Sequence, residues 1–243
     1  MKILALDSST RVATVAVAED EKILASYTVD SGLTQSELLL PMARRALSDA
    51  HLTFADVELF GVTVGPGSFT GIRIGASLVK GLAFEKNVPC APVSVMEALA
   101  ENLRPLDGIY CPVADARRGQ VYNALFRMEN GSLTRLCADR LILARDLLTE
   151  LTNTYPSTPI RLCGDAAEAT ATLSREVAPT LLLPPTPPNL LLPNGGAVAR
   201  CALAAYHRGE AVTDTALAPV YLRPSQAEQE RLERENTSVK ETT

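Results

Sequence analysis

The expected fold of this chain follows from one stretch of its sequence, Gly65-Pro66-Gly67-Ser68-Phe69-Thr70-Gly71-Ile72-Arg73-Ile74-Gly75. It follows a short apolar run at 59–64 and precedes 76–85, a segment of good helix formers. Strand, glycine-rich loop and helix in this order are typical of α/β proteins in which the loop offers backbone N–H groups to a phosphate. The loop either binds phosphate or has only the strand–loop–helix geometry of such sites.

The glycine spacing argues against two common phosphate-binding loops. Gly71 is followed by Ile72 and Arg73 where a Walker A sequence has Lys and Ser or Thr, and the third glycine comes one residue too late for G-x-G-x-x-G. The structural alternative is that Gly65 and Gly67 permit positive φ in a tight turn, while Gly71 and Gly75 let the helix pack closely on a neighbour.

Working outward from this loop, the apolar patterns predict an α/β chain with two similar halves. The first half is predicted to contain strands 3–6, 12–18, 22–29, 59–64 and 88–93, with helices 35–50 and 71–86. The second is predicted to contain strands 109–114, 120–128, 133–142, 160–163 and 180–183, with helices 144–153, 165–176 and 195–208. Thr34 and Glu37 suit a capping box at the start of the first helix, and Pro41 is expected to kink it.

Each half begins with an apolar strand that ends in aspartate, Asp7 and Asp115, and continues through a short polar turn into a second strand. Two βββαβα subdomains of this kind resemble the actin-like, hexokinase-like (ASKHA) superfamily, in which the two turns face each other across a phosphate- and magnesium-binding cleft. This predicts an N-terminal subdomain at 1–105 and a C-terminal subdomain at 106–214. The segment 215–230 is expected to pack back onto the first subdomain, and 231–243 to form a flexible polar tail.

The cleft residues that this plan suggests are Asp7, Ser9, Gly65, Gly67 and Asp115. Asp7 either positions a metal–nucleotide complex or caps its own turn by accepting N–H groups of the residues that follow it. The first turn contains no glycine for close approach of a phosphate, which favours the capping role and a degenerate cleft. A small actin-like ATPase or kinase that uses Asp7 and Asp115 remains the alternative.

Composition excludes several other functions. The formal net charge of −5 argues against direct electrostatic binding to nucleic acid or to an anionic membrane. The five cysteines form no C-x-x-C pair and the two histidines have no metalloprotease spacing, so neither a zinc site, a metallopeptidase nor a Ser/His/Asp triad is indicated. The opening apolar run is too short for a signal peptide and no membrane-length apolar segment follows, so a cytoplasmic protein is expected.

The two helices of the first half carry more apolar residues than packing on one sheet requires. The first has a wide apolar arc, and the second is apolar nearly all round, interrupted by Arg73 and Lys80. Surplus apolar surface indicates either deep burial or a subunit interface, and the interface is the favoured interpretation.

Several motifs together resemble the TsaB (YeaZ) family, and the resemblance runs along the whole chain. They are GPGSFTGIRIG at 65–75, ILALDSST at 3–10, ELLLPM at 37–42, DARRGQVY at 115–122 and PVYLRPSQAE at 219–228. The resemblance implies an accessory subunit without catalytic residues of its own, in the machinery that makes N6-threonylcarbamoyladenosine beside the anticodon of tRNA.

The resemblance also implies the partners. These are a TsaD-like catalytic subunit and a TsaE-like ATPase, which are expected to carry the metal and ATP, while this chain has no cofactor or metal of its own. Alone it is expected to be a homodimer, and to meet tRNA only indirectly, through the complex. The family often has a histidine where this chain has Gln35. The implied interface residues are Leu39, Met42, Ala43, Ala46, Gly71, Ile74, Gly75, Leu78 and Leu82.

Overall fold

The computed structural model describes residues 1–84, 86–104 and 106–223, arranged as two β-sheets with helices packed against them. The predicted tail at 231–243 and the last part of the predicted segment 215–230 lie outside these residues. Within the described ranges, no helix combines the length and the apolar character needed to cross a membrane.

The first sheet has the strand order β3-β2-β1-β4-β5. Its strands are β1 (Lys2–Asp7), β2 (Ala13–Glu19), β3 (Lys22–Val29), β4 (Leu59–Gly65) and β5 (Cys90–Ser94). The first three form an antiparallel meander, whereas β4 pairs with β1, and β5 with β4, in parallel. Strand β1 is a continuous apolar run because both of its faces are covered.

Helices cover this sheet on both faces. Helices α1 (Gln35–Asp49) and α2 (Phe69–Ala83) pack on the face that carries Leu4 and Leu6. Helix α6 (Gly195–His207) packs on the opposite face, which carries Ile3 and Ala5. Although α6 follows the second half along the chain, its contacts are therefore with the first sheet. The subdomain boundaries predicted from the sequence stay a prediction.

The predicted capping box at the start of α1 is confirmed, because the Thr34 N–H donates to Glu37 Oε2 at 2.9 Å. Pro41 lies inside the helix as predicted, and the kink expected there stays a prediction. Helix α2 begins at Phe69, two residues earlier than predicted, because Ser68 caps it by accepting the Gly71 N–H at 3.2 Å.

The second sheet repeats the plan of the first. Its strands are β6 (Gly108–Asp115), β7 (Gln120–Asn123), β8 (Phe126–Glu129), β9 (Ser132–Arg135), β10 (Arg140–Leu143) and β11 (Ile160–Cys163). Strand β6 pairs antiparallel with β7 and β8 along one edge and parallel with β11 along the other, as β1 does with β2 and β4. Helices α4 (Ala144–Thr154) and α5 (Ala167–Val177) pack with it. The duplicated α/β fold predicted from the sequence is confirmed.

Several predicted elements of the second half need correction. The predicted strand 120–128 is divided into β7 and β8 opposite Pro112, which has no N–H to donate to the ladder. The buried Asn123 side chain fills the gap by donating to the Pro112 carbonyl oxygen at 2.9 Å. The predicted strand 133–142 is likewise divided into β9 and β10, and 180–183 forms no strand, although the Ile160 N–H donates to the Leu182 carbonyl oxygen at 2.8 Å.

Helix α3 (Val95–Glu101) was not predicted from the sequence. Ser94 caps it by accepting the Glu97 N–H at 3.2 Å, and almost all of its residues are buried between the second sheet and α6. Its Glu101 is 4% exposed and accepts a hydrogen bond from Arg200 of α6 at 2.8 Å. An ion pair thus joins α3 and α6 where the two halves of the chain meet.

Candidate functional site

A cleft of about 760 Å³ lies where the first turns of the two halves approach each other. Four chain segments form most of its lining, namely the turn after β1, the glycine-rich loop, the turn after β6 and the C-terminal end of the described chain. These segments are 9–11, 66–70, 114–118 and 220–223, joined by Tyr122 and Asp165. Three of the predicted cleft residues, Ser9, Gly67 and Asp115, are therefore brought together in one cavity.

Asp7 does not line the cleft, contrary to its predicted grouping with Asp115. It is fully buried behind the turn, where its Oδ1 accepts the Ser9 N–H at 3.2 Å and the Thr63 hydroxyl. Burial raises the pKa of the Asp7 carboxyl, and the hydrogen bonds from Ser9 and Thr63 offset only part of that effect. The contact with Ser9 is the capping role that the sequence favoured.

The glycine-rich loop is held against its own chain. The Ser68 N–H donates to the Ser9 carbonyl oxygen at 2.7 Å, and a Cβ at Gly67 would lie 2.7 Å from the same oxygen. Gly65 has the positive φ that was predicted, 131°, and a Cβ there would overlap the Val220 carbonyl oxygen; it does not line the cleft. Positive φ is not found at Gly67, where close approach of Ser9 is the reason for glycine. One of the backbone N–H groups that the loop could offer to a phosphate, that of Ser68, is thus already hydrogen-bonded within the chain.

Two carboxylates face the cleft. The Asp115 N–H donates to Asp165 Oδ1 at 2.9 Å, and Asp115 Oδ1 accepts the Arg117 N–H at 2.7 Å. Burial, with the Asp115 charge as a lesser cause, raises the pKa of the Asp165 carboxyl. Sequence reasoning missed Asp165, although its position after a strand parallel to β6 was a usable signal. No cluster of three or more His, Cys, Asp and Glu side chains in the described ranges is arranged to hold a metal.

The C-terminal segment spans the cleft from one half to the other. The Val220 N–H donates to the Val64 carbonyl oxygen at 2.7 Å, while Arg223 Nη1 donates to the Ala116 carbonyl oxygen at 2.8 Å. Between them, the Tyr221 ring stacks on Phe69 with centroids 4.4 Å apart. These contacts belong to residues 220–223, and the predicted packing of the whole segment 215–230 on the first half stays a prediction.

Gln35 holds the first turn in place. Its Nε2 lies 3.0 Å from the Thr10 carbonyl oxygen, 3.3 Å from that of Arg11 and 3.2 Å from that of Val12. Three acceptors for a two-proton amide nitrogen tie the start of α1 firmly to the turn that lines the cleft. This gives Gln35 a positioning role for the turn that lines the cleft.

Six of the predicted interface residues belong to the interior of the chain. The structure buries Leu39, Met42, Ala43, Ala46, Gly71 and Gly75. The α1 residues among them are at most 8% exposed because α1 turns its apolar arc toward the sheet. The two glycines lie against Ser8. The surface they were expected to share with a partner is therefore taken up by the chain's own core.

The remaining three predicted interface residues, Ile74, Leu78 and Leu82, are only partly buried and lie one turn apart along α2. Spacing of four residues places them on one helix face. Phe84, just beyond the helix, is 72% exposed but follows Leu82 by two residues, a spacing that turns it away from this face. We call Ile74, Leu78 and Leu82 the α2 stripe.

Two βββαβα units with a cleft between their first turns define a protein of the actin-like (ASKHA) class. Within that class, the profile of the family described as "TsaD: tRNA N6-adenosine threonylcarbamoyltransferase" matches residues 33–230. The solved structure "YeaZ from Pseudomonas aeruginosa" has a TM-score of 0.75 and 26% identity, covering 91% of this chain and 99% of that one.

Curated relatives agree with this match. The tRNA threonylcarbamoyladenosine biosynthesis protein TsaB of Bacillus subtilis (strain 168) is 36% identical over 62% of this chain and 66% of its own length. TsaB of Escherichia coli (strain K12) is 34% identical over 54% of this chain and 58% of its own length. The chain belongs to the TsaD family of actin-like proteins, in its TsaB (YeaZ) branch. It spans about three fifths to two thirds of the length of these two curated relatives.

Proposed function

We propose that this chain is an accessory subunit in the biosynthesis of tRNA N6-threonylcarbamoyladenosine, one that performs no chemistry itself and binds a TsaD-like catalytic subunit. The names of its relatives support the pathway. The observation that carries the binding role is the α2 stripe, an apolar surface on the helix that follows the glycine-rich loop.

The stripe has the properties of a helix-packing surface. Ile74, Leu78 and Leu82 are partly buried against the core and leave their outer surface to solvent. Covering the remaining apolar area of one such side chain contributes on the order of 1 kcal/mol. A helix of the partner laid against this face would form a helical interface between two related subunits.

The interior of the cleft also favours an accessory role over an ATPase. The Ser68 N–H is occupied by the Ser9 carbonyl oxygen, and the Asp7 carboxyl is buried outside the cavity. Phosphates bind to free backbone N–H groups, and Mg²⁺ beside them binds to carboxylates that face the ligand, so neither of these groups is available to a nucleotide in the first half. We therefore assign ATP and metal to the partners, a TsaD-like subunit and a TsaE-like ATPase.

The binding role is tested by size-exclusion chromatography of this chain with the TsaD-like protein of its own source. Leu78→Asp should abolish co-elution, because complex formation would bury an unpaired charge. Ser77→Asp is the matched control, since the neighbouring Ser77 is exposed and not part of the stripe. Co-elution that survives Leu78→Asp, or is lost equally in both variants, would reject the stripe as the interface.

Two further measurements separate the accessory role from the ATPase alternative. Reconstituted tRNA modification should require this chain, and modification at full rate without it would overturn the proposal. Titration with Mg-ATP should give no tight binding to the isolated chain, whereas tight binding lost on Asp115→Asn would favour the ATPase.

Sedimentation of the isolated chain should show a dimer that Leu78→Asp dissociates.

A further inference from the structure

The lining of the cleft contains more arginines than carboxylates, in a chain that is acidic as a whole. Four arginines line it, namely Arg11, Arg117, Arg118 and Arg223, against the two carboxylates Asp115 and Asp165. The whole chain carries a formal charge of −5. The expectation that RNA meets this chain only through its partner was drawn from the total charge and does not account for this concentration of arginines.

The two aspartates are partly engaged in the structure of the turn. One oxygen of Asp165 accepts the Asp115 N–H, and one oxygen of Asp115 accepts the Arg117 N–H. Arg11 forms an ion pair with Asp30 at 3.1 Å, and Arg223 donates to the Ala116 carbonyl oxygen. These contacts anchor the wall of the cleft, and the positive charge that faces a ligand is concentrated on Arg117 and Arg118.

Arg117 and Arg118 stand out within this group. Both are exposed, and across the described ranges neither forms an ion pair. Both have left-handed backbone conformations, with φ of 61° and 55°, at positions where a hairpin turn favours Asn or Gly. Strained residues of this kind tend to occur where a side chain must be directed at a ligand.

A second wall of the cleft is aromatic. Tyr221 is 40% exposed and stacks on Phe69, whose ring lies 3.9 Å from the guanidinium carbon of Arg73. The Arg73 Nε donates to the Tyr221 hydroxyl at 2.7 Å and fixes the ring in place. An exposed aromatic ring held beside arginines matches the combination by which proteins bind single-stranded nucleic acid, stacking for bases and arginine for phosphates.

We infer that this cleft rim, formed by Arg117, Arg118 and Tyr221, is a contact site for single-stranded RNA, with phosphates at the two arginines and a base against Tyr221. A free nucleotide fits less well, because the loop that would hold its phosphates is bonded to Ser9. The choice of RNA over another anionic partner rests on the proposed function. The basic and aromatic rim does not depend on it.

Fluorescence anisotropy of the full chain alone, with a labelled oligouridine and with an unmodified tRNA anticodon stem-loop, tests this site. Replacing both Arg117 and Arg118 by Ala should weaken the binding of both RNAs by about twentyfold near 0.1 M salt. It should also reduce the slope of log K against log salt concentration by about 1.4, the value for two phosphate contacts on a single strand. Arg127→Ala with Arg175→Ala removes the same charge from exposed positions outside the cleft and should change binding less than about twofold.

Tyr221 supplies a second and independent readout. Tyr221→Ala should weaken RNA binding by about tenfold, because one stacked base loses its aromatic partner. Tyr221→Phe keeps the ring and should bind RNA nearly as tightly as wild type. Equal losses for both substitutions would reject stacking. Absence of RNA binding by the wild-type chain, or equal losses in the rim and control arginine variants, would overturn the site.

Two competing ligands complete the experiment. Rim-dependent binding of polyglutamate without RNA binding would make this a protein-docking surface, and equal affinity for ATP would make it a nucleotide pocket; either result overturns the RNA assignment. Co-elution with the TsaD-like subunit is measured on the same variants. Lost RNA binding with intact co-elution supports the rim site, whereas lost co-elution in the wild-type chain bears only on the proposed function.

Discussion

The Ser8 hydroxyl donates to the Gly71 carbonyl oxygen at 2.8 Å, and a Cβ on Gly71 would overlap the Ser8 carbonyl oxygen. The first turn of helix α2 is therefore in direct contact with the backbone that follows β1. Gly75, one turn later, lies against the same serine, since a Cβ there would be 2.5 Å from Ser8 Oγ. Small residues on this face of α2 are required by the chain's own packing.

Gly71→Ala should destabilise the protein by about 3 kcal/mol or more, because the new methyl group meets backbone that cannot move aside without displacing β1. Gly81→Ala is the control on the same helix. It has nothing within 4 Å of the added methyl group and should instead stabilise by about 0.5–1 kcal/mol. Urea unfolding followed by circular dichroism measures both, and a Gly71→Ala variant as stable as wild type would contradict the contact.

Truncating an apolar side chain should affect stability and subunit binding differently on the sheet-facing side of α1 and in the α2 stripe. Leu39 is 1% exposed, so Leu39→Ala should cost about 2–5 kcal/mol in the free energy of unfolding. Leu78 is only partly buried, so Leu78→Ala should cost about 1 kcal/mol and act chiefly on subunit binding. Denaturant unfolding and co-elution, measured on both variants, check this division. A Leu39→Ala variant of wild-type stability that fails to bind the partner would restore Leu39 to the interface.

The features predicted well from the sequence depend on neighbours in the chain. Strand β3, the capping box of α1 and strand β11 follow from local alternation, local hydrogen bonding and a short apolar run. Helix α3 was missed because it follows β5 without a loop, so that strand and helix form one apolar segment.

The errors at the interface and in the cleft have a different cause. Amphipathicity shows that Leu39 and Ala43 share a helix face, but both a sheet and a partner subunit can cover such a face. The separation of Asp7 from the cleft, and the meeting of Arg118 with Tyr221 around it, arise from contacts between segments far apart in sequence. Such proximity is set by the tertiary fold and leaves no periodic signal in the chain.

The buried Asp7 carboxyl should make stability depend on pH. Because burial raises its pKa in the folded state, Asp7 stabilises the fold at low pH, and this contribution is lost as the pH rises through the raised value. Asp7→Asn removes the titration. The stability of the variant relative to wild type should therefore increase as the pH rises from about 4 to about 8.

Urea unfolding of wild type and Asp7→Asn at a series of pH values measures this effect. Asp30→Asn is the control, because Asp30 is exposed and lies in an ion pair with Arg11 at the surface. A pH dependence of this control equal to that of Asp7→Asn would assign the effect to the loss of any carboxylate and not to the buried one. A parallel pH dependence for wild type and Asp7→Asn would show that the buried carboxyl does not titrate between the folded and unfolded states.

The left-handed backbone at Arg117 and Arg118 should carry a measurable cost in stability. A residue other than Gly, Asn or Asp in this conformation destabilises the folded state by about 1–2 kcal/mol. Glycine relieves this strain, but it also raises the entropy of the unfolded chain, which offsets part of the gain in stability. Arg117→Asn with Arg118→Gly should therefore raise the free energy of unfolding by about 1 kcal/mol.

Arg118→Ala separates strain from charge in the same turn. It removes the guanidinium but keeps a Cβ at a φ of 55°, so it should give no comparable gain in stability. Urea unfolding at low and high salt measures both variants, because a gain that came from relieved charge repulsion would shrink with salt, whereas relief of backbone strain would not. If neither variant is stabilised, arginine is tolerated in this turn without cost, and the strain argument for directed side chains at the cleft rim is lost.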